Sequence, residues 1–184
     1  EHLGDMIQYD GSYHNWFENR IQLDKLPCLL ASIDDATGKI MYAKFDNNEG
    51  VIPTMKFWTE YFKINGKPNI IYLDRGSTYK KNRLNPYRIL TKEEELTQFE
   101  RACDEVSVKL IHATSPQGKG RVERLFGTLQ DRLVKELRLA NINSIDQANS
   151  FLINVFIPKF NEKFSVLPLR KANFHKQLSN AQLS

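Results

Sequence analysis

One short segment constrains the fold of this chain more than any other. Residues 69–73 form a nearly continuous apolar run, and an acidic residue, Asp74, follows directly. A strand that is apolar on both sides is typical of a sheet that helices cover on both faces. The run therefore predicts an α/β protein. In open sheets of this class, functional clefts lie beyond the ends of the strands.

The rest of the sequence supplies the other elements of such a fold. Apolar residues recur at helical spacing from Val122 to Leu137, which is the strongest helical pattern in the chain. Residues 91–94 resemble a capping box that opens another helix. In chain order we predict a strand over 6–12, a hairpin over 28–45, a helix over 51–64, a strand over 69–73, a helix carrying Leu96, Phe99, Cys103 and Val106, a strand over 108–111, the long helix, and a last helix over 144–160.

This order fits a mixed five-stranded sheet flanked by helices, in the manner of a ribonuclease-H-like fold. The 184 residues suit one domain plus an extension, and we assign residues 1–168 to the core and 169–184 to a C-terminal linker. Cys28 and Cys103 form no CxxC pair, which argues against a disulfide scaffold and a thiolate zinc site. The N-terminus has no signal-peptide pattern, so we expect a reducing, intracellular setting.

Positive charge is concentrated in one stretch. The net charge of +4 is weak evidence for a nucleic-acid partner, but residues 75–92 contain six basic residues and no acidic ones. Tyr79 and Tyr87 lie among them, and basic residues with interleaved aromatics suit a phosphate backbone and unstacked bases. A solvated surface loop explains the composition equally well. Both interpretations stay open on composition alone.

Three acidic residues stand out by their context. Asp10 lies in an otherwise uncharged strand, Asp74 ends the apolar strand, and Glu123 lies about 100° from Val122 at the border of the buried helix face. A carboxylate in an interior strand is costly to bury unless it is paired or binds a cation. Structural roles also remain open, as a turn carboxylate for Asp74 and as a helix N-terminal acid for Glu123.

These carboxylates together would supply the hard oxygen ligands that Mg²⁺ or Mn²⁺ prefers. Two such ions, about 4 Å apart, could activate the attacking oxygen and stabilise the leaving oxygen of a phosphodiester displacement. The basic stretch that follows Asp74 would hold DNA over the same cleft. The sequence thus predicts a metal-dependent nucleic-acid site.

The segments around these acids resemble a known family. Asp10-Gly11-Ser12, Leu73-Asp74-Arg75 and residues 119–124 are similar to the three acidic segments of the DDE catalytic core of the retroviral-integrase superfamily, and within it to insertion-sequence transposases of the ISNCY type. The resemblance runs from Asp5 to about Pro168. It also covers Ile33–Thr37, Leu96–Phe99, His112-Ala113, Ser115-Pro116-Gln117, Thr128–Leu139, Asn161 and Lys163-Phe164.

The resemblance implies that Asp10, Asp74 and Glu123 are the catalytic and metal-binding triad, with two Mg²⁺ or Mn²⁺ ions. It implies a DNA transposase domain that hydrolyses phosphodiesters at element ends and transfers the 3′-hydroxyl strand into target DNA. The implied partners are transposon ends, target DNA and further copies of the chain, in the bacterial cytoplasm at the nucleoid. A complete transposase of this kind would carry an N-terminal helix-turn-helix region and a C-terminal domain as well.

Some features remain open beside this interpretation. Gly76 stands where the family often has a histidine, and residues 79–95 look like an insertion. The alternatives to a transposase are a catalytically inactive DNA-binding or assembly module and a ribonuclease-H-like nuclease. Structural roles are expected for His112 and for Asp34 with Asp35, whereas packing and site-shaping roles are equally open for His14 and Trp16. The candidate DNA contacts are Arg75, Lys80, Lys81, Arg83, Arg88, Lys119, Arg121 and Arg124.

Overall fold

A mixed β-sheet organises the fold. The computed structural model describes residues 1–22, 24–74, 92–113 and 120–179, and for residues 74 and 92–98 it describes the backbone alone. The strands are β1 (Met6–Tyr13), β2 (Cys28–Asp34), β3 (Ile40–Asp46), β4 (Ile70–Asp74) and β5 (Lys109–Ala113). Within these described residues they form one five-stranded sheet in the order β3-β2-β1-β4-β5. β1, β2 and β3 pair antiparallel, whereas β4 pairs parallel to both β1 and β5.

Helices cover both faces of this sheet, as the buried central strand requires. They are α1 (Val51–Asn65), α2 (Lys92–Glu105), α3 (Gly120–Leu139), α4 (Ile145–Phe151) and α5 (Ile157–Phe164), with a π-helical segment, Leu152–Phe156, between the last two. No helix in the described part of the chain combines the length and the apolar character that a bilayer crossing requires. The predicted mixed sheet flanked by helices is confirmed.

Two hydrophobic cores lie on opposite faces of the sheet. Every residue of β2 is buried, and alternate residues enter alternate cores, Leu29 and Ala31 on one side and Cys28 and Leu30 on the other. The first core contains the apolar stripe of α3 together with α4 and α5. The second contains the aromatic residues of α1 and the buried side of α2. The alternation follows from the two-residue period of a strand.

The last helix differs from its predicted limits. The sequence predicts one helix ending at residue 160, whereas the structure continues to Phe164 and passes through the π-helical segment. Pro158 lacks an N–H and cannot complete an α-helical hydrogen bond. The N–H of the preceding residue, Ile157, donates to the carbonyl of Leu152, five residues back, so the wider turn accommodates the proline.

Residues 170–177, which we call the C-terminal strap, return to the core. The Phe174 N–H donates to the Leu3 carbonyl over 2.8 Å, and Lys176 and Lys67 exchange backbone hydrogen bonds of 2.8 and 3.0 Å. The Nε2 atom of His175 lies 2.8 Å from the Tyr61 hydroxyl. These contacts join the strap to the first residues of the chain and to the segment between α1 and β4.

We expect the docking of this strap to depend on pH through His175. Its Nδ1 lies 2.8 Å from the acceptor Asn173 Oδ1, and in a neutral imidazole with the proton on Nδ1 the Nε2 atom accepts from the Tyr61 hydroxyl. Burial lowers the pKa of His175 below its usual 6.5. The neutral form therefore stabilises the folded state above about pH 6.5, and this contribution is lost as the pH falls through the folded-state pKa.

We expect acidification from pH 7.5 to pH 5 to loosen the strap before the rest of the molecule. Amide hydrogen exchange at Lys67 and Lys176 should accelerate at the lower pH, after correction for intrinsic exchange, because their mutual hydrogen bonds hold the strap. The amides that pair β2 with β3 serve as the internal control. In His175→Gln the strap amides and the β2–β3 amides should respond alike to the change in pH. If Lys67 and Lys176 accelerate equally in the wild type and in His175→Gln, the role of His175 in strap docking is contradicted.

Candidate active site

Two of the predicted acids, Asp10 and Asp74, lie in adjacent parallel strands, β1 and β4. In the parallel register Met6 pairs with Ile70 and Gln8 with Tyr72. Gln8–Tyr72 is the last pair, and both strands continue by at least two residues beyond it, to Asp10 in β1 and to Asp74, the last residue of β4. This is the kind of strand end at which α/β proteins form clefts.

The side chain of Asp10 lies on the α3 face of the sheet. Its neighbours Ile7 and Tyr9 are buried in the core on the α1 side. Gln8 and Ser12, on the opposite face, both form hydrogen bonds to α3. Asp10 lies between these two in the strand, and alternate residues share a face. One of its own oxygens accepts the Gly11 N–H over 3.0 Å.

Helix α3 carries Glu123 across the same face. Val122 is fully buried and its N–H donates to Gln8 Oε1 over 3.2 Å. Gln130, two helical turns beyond Glu123 and on the same flank, donates from Nε2 to Ser12 Oγ over 3.2 Å. The flank of α3 that carries Glu123 therefore faces β1, and the Glu123 side chain is exposed to solvent. The strand of Asp10 and the helix of Glu123 lie against each other.

Negative charge surrounds this part of β1. Burial raises the pKa of the Cys28 thiol, and the nearby carboxylates of Glu49 and Asp10 raise it further. Glu49, between β3 and α1, packs against Gly11, where a Cβ atom would lie 2.6 Å from Glu49 Oε2. The glycine next to Asp10 thus admits a further carboxylate on the opposite face of the strand. The sequence does not reveal Glu49, because the loop that contains it carries no local pattern.

The acids fit a divalent cation by their donor chemistry. Carboxylate oxygens are hard ligands of the kind that Mg²⁺ and Mn²⁺ prefer, and those of Asp10 and Glu123 are half-buried and exposed, respectively. Among the side chains that the structure describes, no group of three His, Cys, Asp or Glu residues is arranged to hold a metal. The Asp74 side chain lies outside that set, so the triad stays a prediction.

Three other predicted residues have structural contacts. Asp34 is fully buried, and its carboxylate accepts from Gly4 N, Thr37 N and Thr37 Oγ1 at 2.7–2.8 Å, which is a turn role. His112 Nε2 lies 3.1 Å from Glu100 Oε1. Trp16 is fully buried in the α3-side core. The predictions for the remaining site and basic-stretch residues lie outside the described residues: Arg75, Gly76, Tyr79, Lys80, Lys81, Arg83, Tyr87, Arg88 and Lys119.

Two predicted DNA contacts line a groove on the other flank of α3. Arg121 Nε lies 3.2 Å from Asp35 Oδ1, and Arg124 is exposed. Both line a groove of about 760 Å³ between α3, α5 and the turn joining β2 to β3. Arg132 also lines it and lies 5.0 Å above the ring of Phe164. We call this the arginine groove.

The arginine groove also contains one acidic residue. Asp131 lies on its wall, but Lys135 pairs with it at 2.5 Å. The hydrogen bond and charge of Lys135 lower the pKa of Asp131, so it stays ionised and paired. The described part of the groove therefore presents a net positive surface.

Comparisons with known proteins agree with this architecture. No protein-family model matches the chain. It is 39% identical over 186 residues to the transposase y4bF of Sinorhizobium fredii, covering 98% of this chain and 38% of that protein. It is 34% identical over 161 residues to the transposase for insertion sequence IS1202 of Streptococcus pneumoniae, covering 88% of this chain and 33% of that protein. The chain thus spans about a third of the length of these relatives.

The fold has a solved counterpart in a viral enzyme. The HTLV-2 integrase catalytic core domain, solved in complex with magnesium in a trimeric form, matches with a TM-score of 0.55 and 20% identity, over 81% of this chain and 82% of that one. The chain therefore has the ribonuclease-H-like fold of integrase catalytic cores. Its sequence relatives are transposases, and the predicted resemblance to transposase and integrase cores is confirmed.

The buried Asp34 offers a test of the turn that carries Asp35. In Asp34→Asn one carboxylate oxygen becomes an NH₂ group facing backbone and hydroxyl donors, so we expect a loss of about 3 kcal/mol in the free energy of unfolding. Urea unfolding at pH 7 measures it. Asp104→Asn, at an exposed position of α2, is the matched control and should change stability by less than about 0.5 kcal/mol. Equal effects would contradict the buried role.

Proposed function

We propose that this chain is the catalytic domain of a DNA transposase and that Asp10, Asp74 and Glu123 form its metal-binding triad. The observation that carries the proposal is the parallel pairing of β1 with β4, because both strands run on from their last pair, Gln8 with Tyr72, toward Asp10 and Asp74. The docking of α3 on β1 supports the inclusion of Glu123. The relationship to transposases supports the reaction type.

Two phosphoryl-transfer steps follow from this proposal, a hydrolysis and a transesterification. Water attacks a phosphodiester at the end of the element, a P–O bond forms to water as the bond to the 3′ oxygen breaks, and the released 3′ oxygen gains a proton. That 3′-hydroxyl then attacks a phosphodiester of target DNA: a P–O bond forms to the attacking 3′ oxygen as it loses its proton, the bond to the target strand's 3′ oxygen breaks, and this leaving oxygen gains a proton. Divalent ions, when bound, supply activation of the attacking oxygen and stabilisation of the leaving one.

The protein's own residues have defined tasks in these steps. Asp10 and Asp74 would hold the ions from two adjacent strands of a rigid sheet, and Glu123 would complete the ligand set from α3. The structure of the HTLV-2 core in complex with magnesium supports a divalent ion such as Mg²⁺ here, and we propose two ions. We further propose that the chain acts as a homo-oligomer on transposon ends and target DNA in the bacterial cytoplasm.

Replacement of the triad should abolish metal-dependent chemistry without unfolding the protein. We expect Asp10→Asn, Asp74→Asn and Glu123→Gln each to lower the rate of nicking a labelled element end by at least about a hundredfold, because ion-mediated stabilisation of the transition state is lost. DNA binding should persist. Asp104→Asn is the control. Full activity in any triad variant would remove that residue from the assignment.

The same assay separates the transposase from its two alternatives. A DNA substrate that ends in a free 3′-hydroxyl, mixed with target plasmid and Mn²⁺, should yield joined product. Cleavage without joining would favour a ribonuclease-H-like nuclease. Absence of both reactions and of any Mn²⁺-dependent thermal stabilisation would favour an inactive binding module.

The arginine groove supports a further contact with the DNA backbone. Three guanidinium groups line it, and guanidinium is the side-chain group that best matches phosphate geometry. Positions 124 and 132 lie about 12 Å apart along α3 at 1.5 Å per residue, which exceeds the distance between adjacent phosphates of one strand. We therefore assign Arg124 and Arg132 to phosphate contacts outside the catalytic cleft.

These contacts should be visible in the salt dependence of DNA binding. Arg132→Gln should weaken binding to duplexes of unrelated sequence to a similar extent and reduce the slope of log K against log salt by about 1. Arg138→Gln is the matched control, because Arg138 lies on the same helix but pairs with Glu18 at 2.9 Å. If Arg132→Gln and Arg138→Gln give the same slope of log K against log salt, the DNA does not contact the arginine groove.

A further inference from the structure

A buried glutamine joins the strand of Asp10 to the helix of Glu123. Gln8 is 3% exposed and lies two residues before Asp10 on the same face of β1. Its Oε1 accepts the N–H of Val122 over 3.2 Å, and its Nε2 donates to Asp35 Oδ1 over 2.8 Å. Both the oxygen and the nitrogen of the amide therefore form hydrogen bonds. The partner of the oxygen, Val122, immediately precedes Glu123 in α3.

The position of Val122 in its helix gives this contact its importance. The first four N–H groups of an α-helix have no partner within the helix, and α3 begins at Gly120. The N–H of Val122 is one of these four, and it is buried. A side chain from β1 thus satisfies a donor that the helix cannot satisfy itself.

A charged pair completes the arrangement. The same Asp35 oxygen that accepts from Gln8 lies 3.2 Å from Arg121 Nε. Asp35 belongs to the turn between β2 and β3, beside the buried Asp34. The two residues that precede Glu123 are therefore both tied to the sheet: the backbone of Val122 to Gln8, and the side chain of Arg121 to Asp35.

We propose that Gln8 is a positioning residue, which with Asp35 fixes the first turn of α3 and so the place of Glu123 relative to Asp10. This inference rests on the proposed function of the triad and deepens it. Apolar packing alone would leave the helix free to shift slightly along the sheet, because it has no directional preference. A displacement of about 1 Å can cost about a hundredfold in rate, so a directional contact at this point matters to catalysis.

The first experiment removes the amide without emptying the space. We expect Gln8→Met to lower kcat for nicking by about 10- to 100-fold, with little change in the KM for DNA. Thr54→Val is the matched control, because Thr54 forms a buried hydrogen bond of 3.0 Å to Tyr9 on the other face of β1. It should lower the melting temperature comparably while leaving kcat unchanged. Equal kcat values in the two variants would overturn the proposal.

The second experiment exchanges the two partners. Gln8→Glu should place two carboxylates against each other and lower kcat as strongly as Gln8→Met. Adding Asp35→Asn restores a donor opposite an acceptor, since the carboxylate introduced at position 8 can accept from both Val122 N and the new amide. The double variant should recover part of the lost rate, because the new amide donates to position 8 but no longer accepts from Arg121 Nε through the oxygen that they share in the wild type. A double variant no better than Gln8→Glu alone would contradict the pairing of Gln8 with Asp35.

A third measurement does not depend on activity. The backbone amide of Val122 should exchange with deuterium at least about tenfold faster in Gln8→Met than in the wild type, relative to the amide of Leu133 in the same helix, because it loses its acceptor. Unchanged protection would overturn the inference whatever the enzyme does. If the wild-type chain neither nicks DNA nor shows Mn²⁺-dependent stabilisation, the proposed function fails, and amide protection alone decides whether Gln8 anchors α3.

Discussion

The packing of α3 across β1 is the contact on which the candidate site depends. Seven side chains of this helix are buried, among them Leu125, Leu129 and Leu133, and each large aliphatic side chain contributes about 1.5–3 kcal/mol when removed from water. Hydrogen bonds such as that of Gln130 to Ser12 contribute about 1 kcal/mol each. The apolar stripe therefore holds the helix on the sheet, and the polar contacts add little to its affinity.

The polar contacts determine where α3 lies along β1. The hydrophobic effect is proportional to buried area and has no preferred register, whereas a buried N–H that lacks its acceptor costs about 1–3 kcal/mol. A shift of α3 along β1 would break the contacts of Gln8 and Gln130 together. The triad proposal needs such a device, because its acids come from two strands and a helix that are distant in sequence.

Sequence patterns predict the helices and strands well, but they predict the side-chain contacts between these elements poorly. The stripe from Val122 to Leu137 predicts α3, and the apolar run before Asp74 predicts β4, because both signals are local. Gln8 and Asp35 escape this reasoning, since the partners of Gln8 lie 114 and 27 residues away. A polar residue on the same strand face as Asp10 is the signal that could have found Gln8. The π-helical segment also escapes it, because Pro158 near the start of a helical turn ordinarily marks a boundary rather than a wider turn.

Both ends of α3 are held by residues of β1 and of the loop that follows it. At the N-terminus Gln8 satisfies a free N–H, and at the C-terminus Arg20 NH1 donates to the carbonyls of Leu137 and Ile142 over 3.0 and 2.9 Å. A cation is also favoured there by the helix dipole. Because Asp10 lies between these two anchors in the chain, one short segment carries the first acid and fixes the helix that carries the third. Substitutions elsewhere in the sheet can then alter the free energy of unfolding without altering the distance between Asp10 and Glu123, on which metal binding would depend.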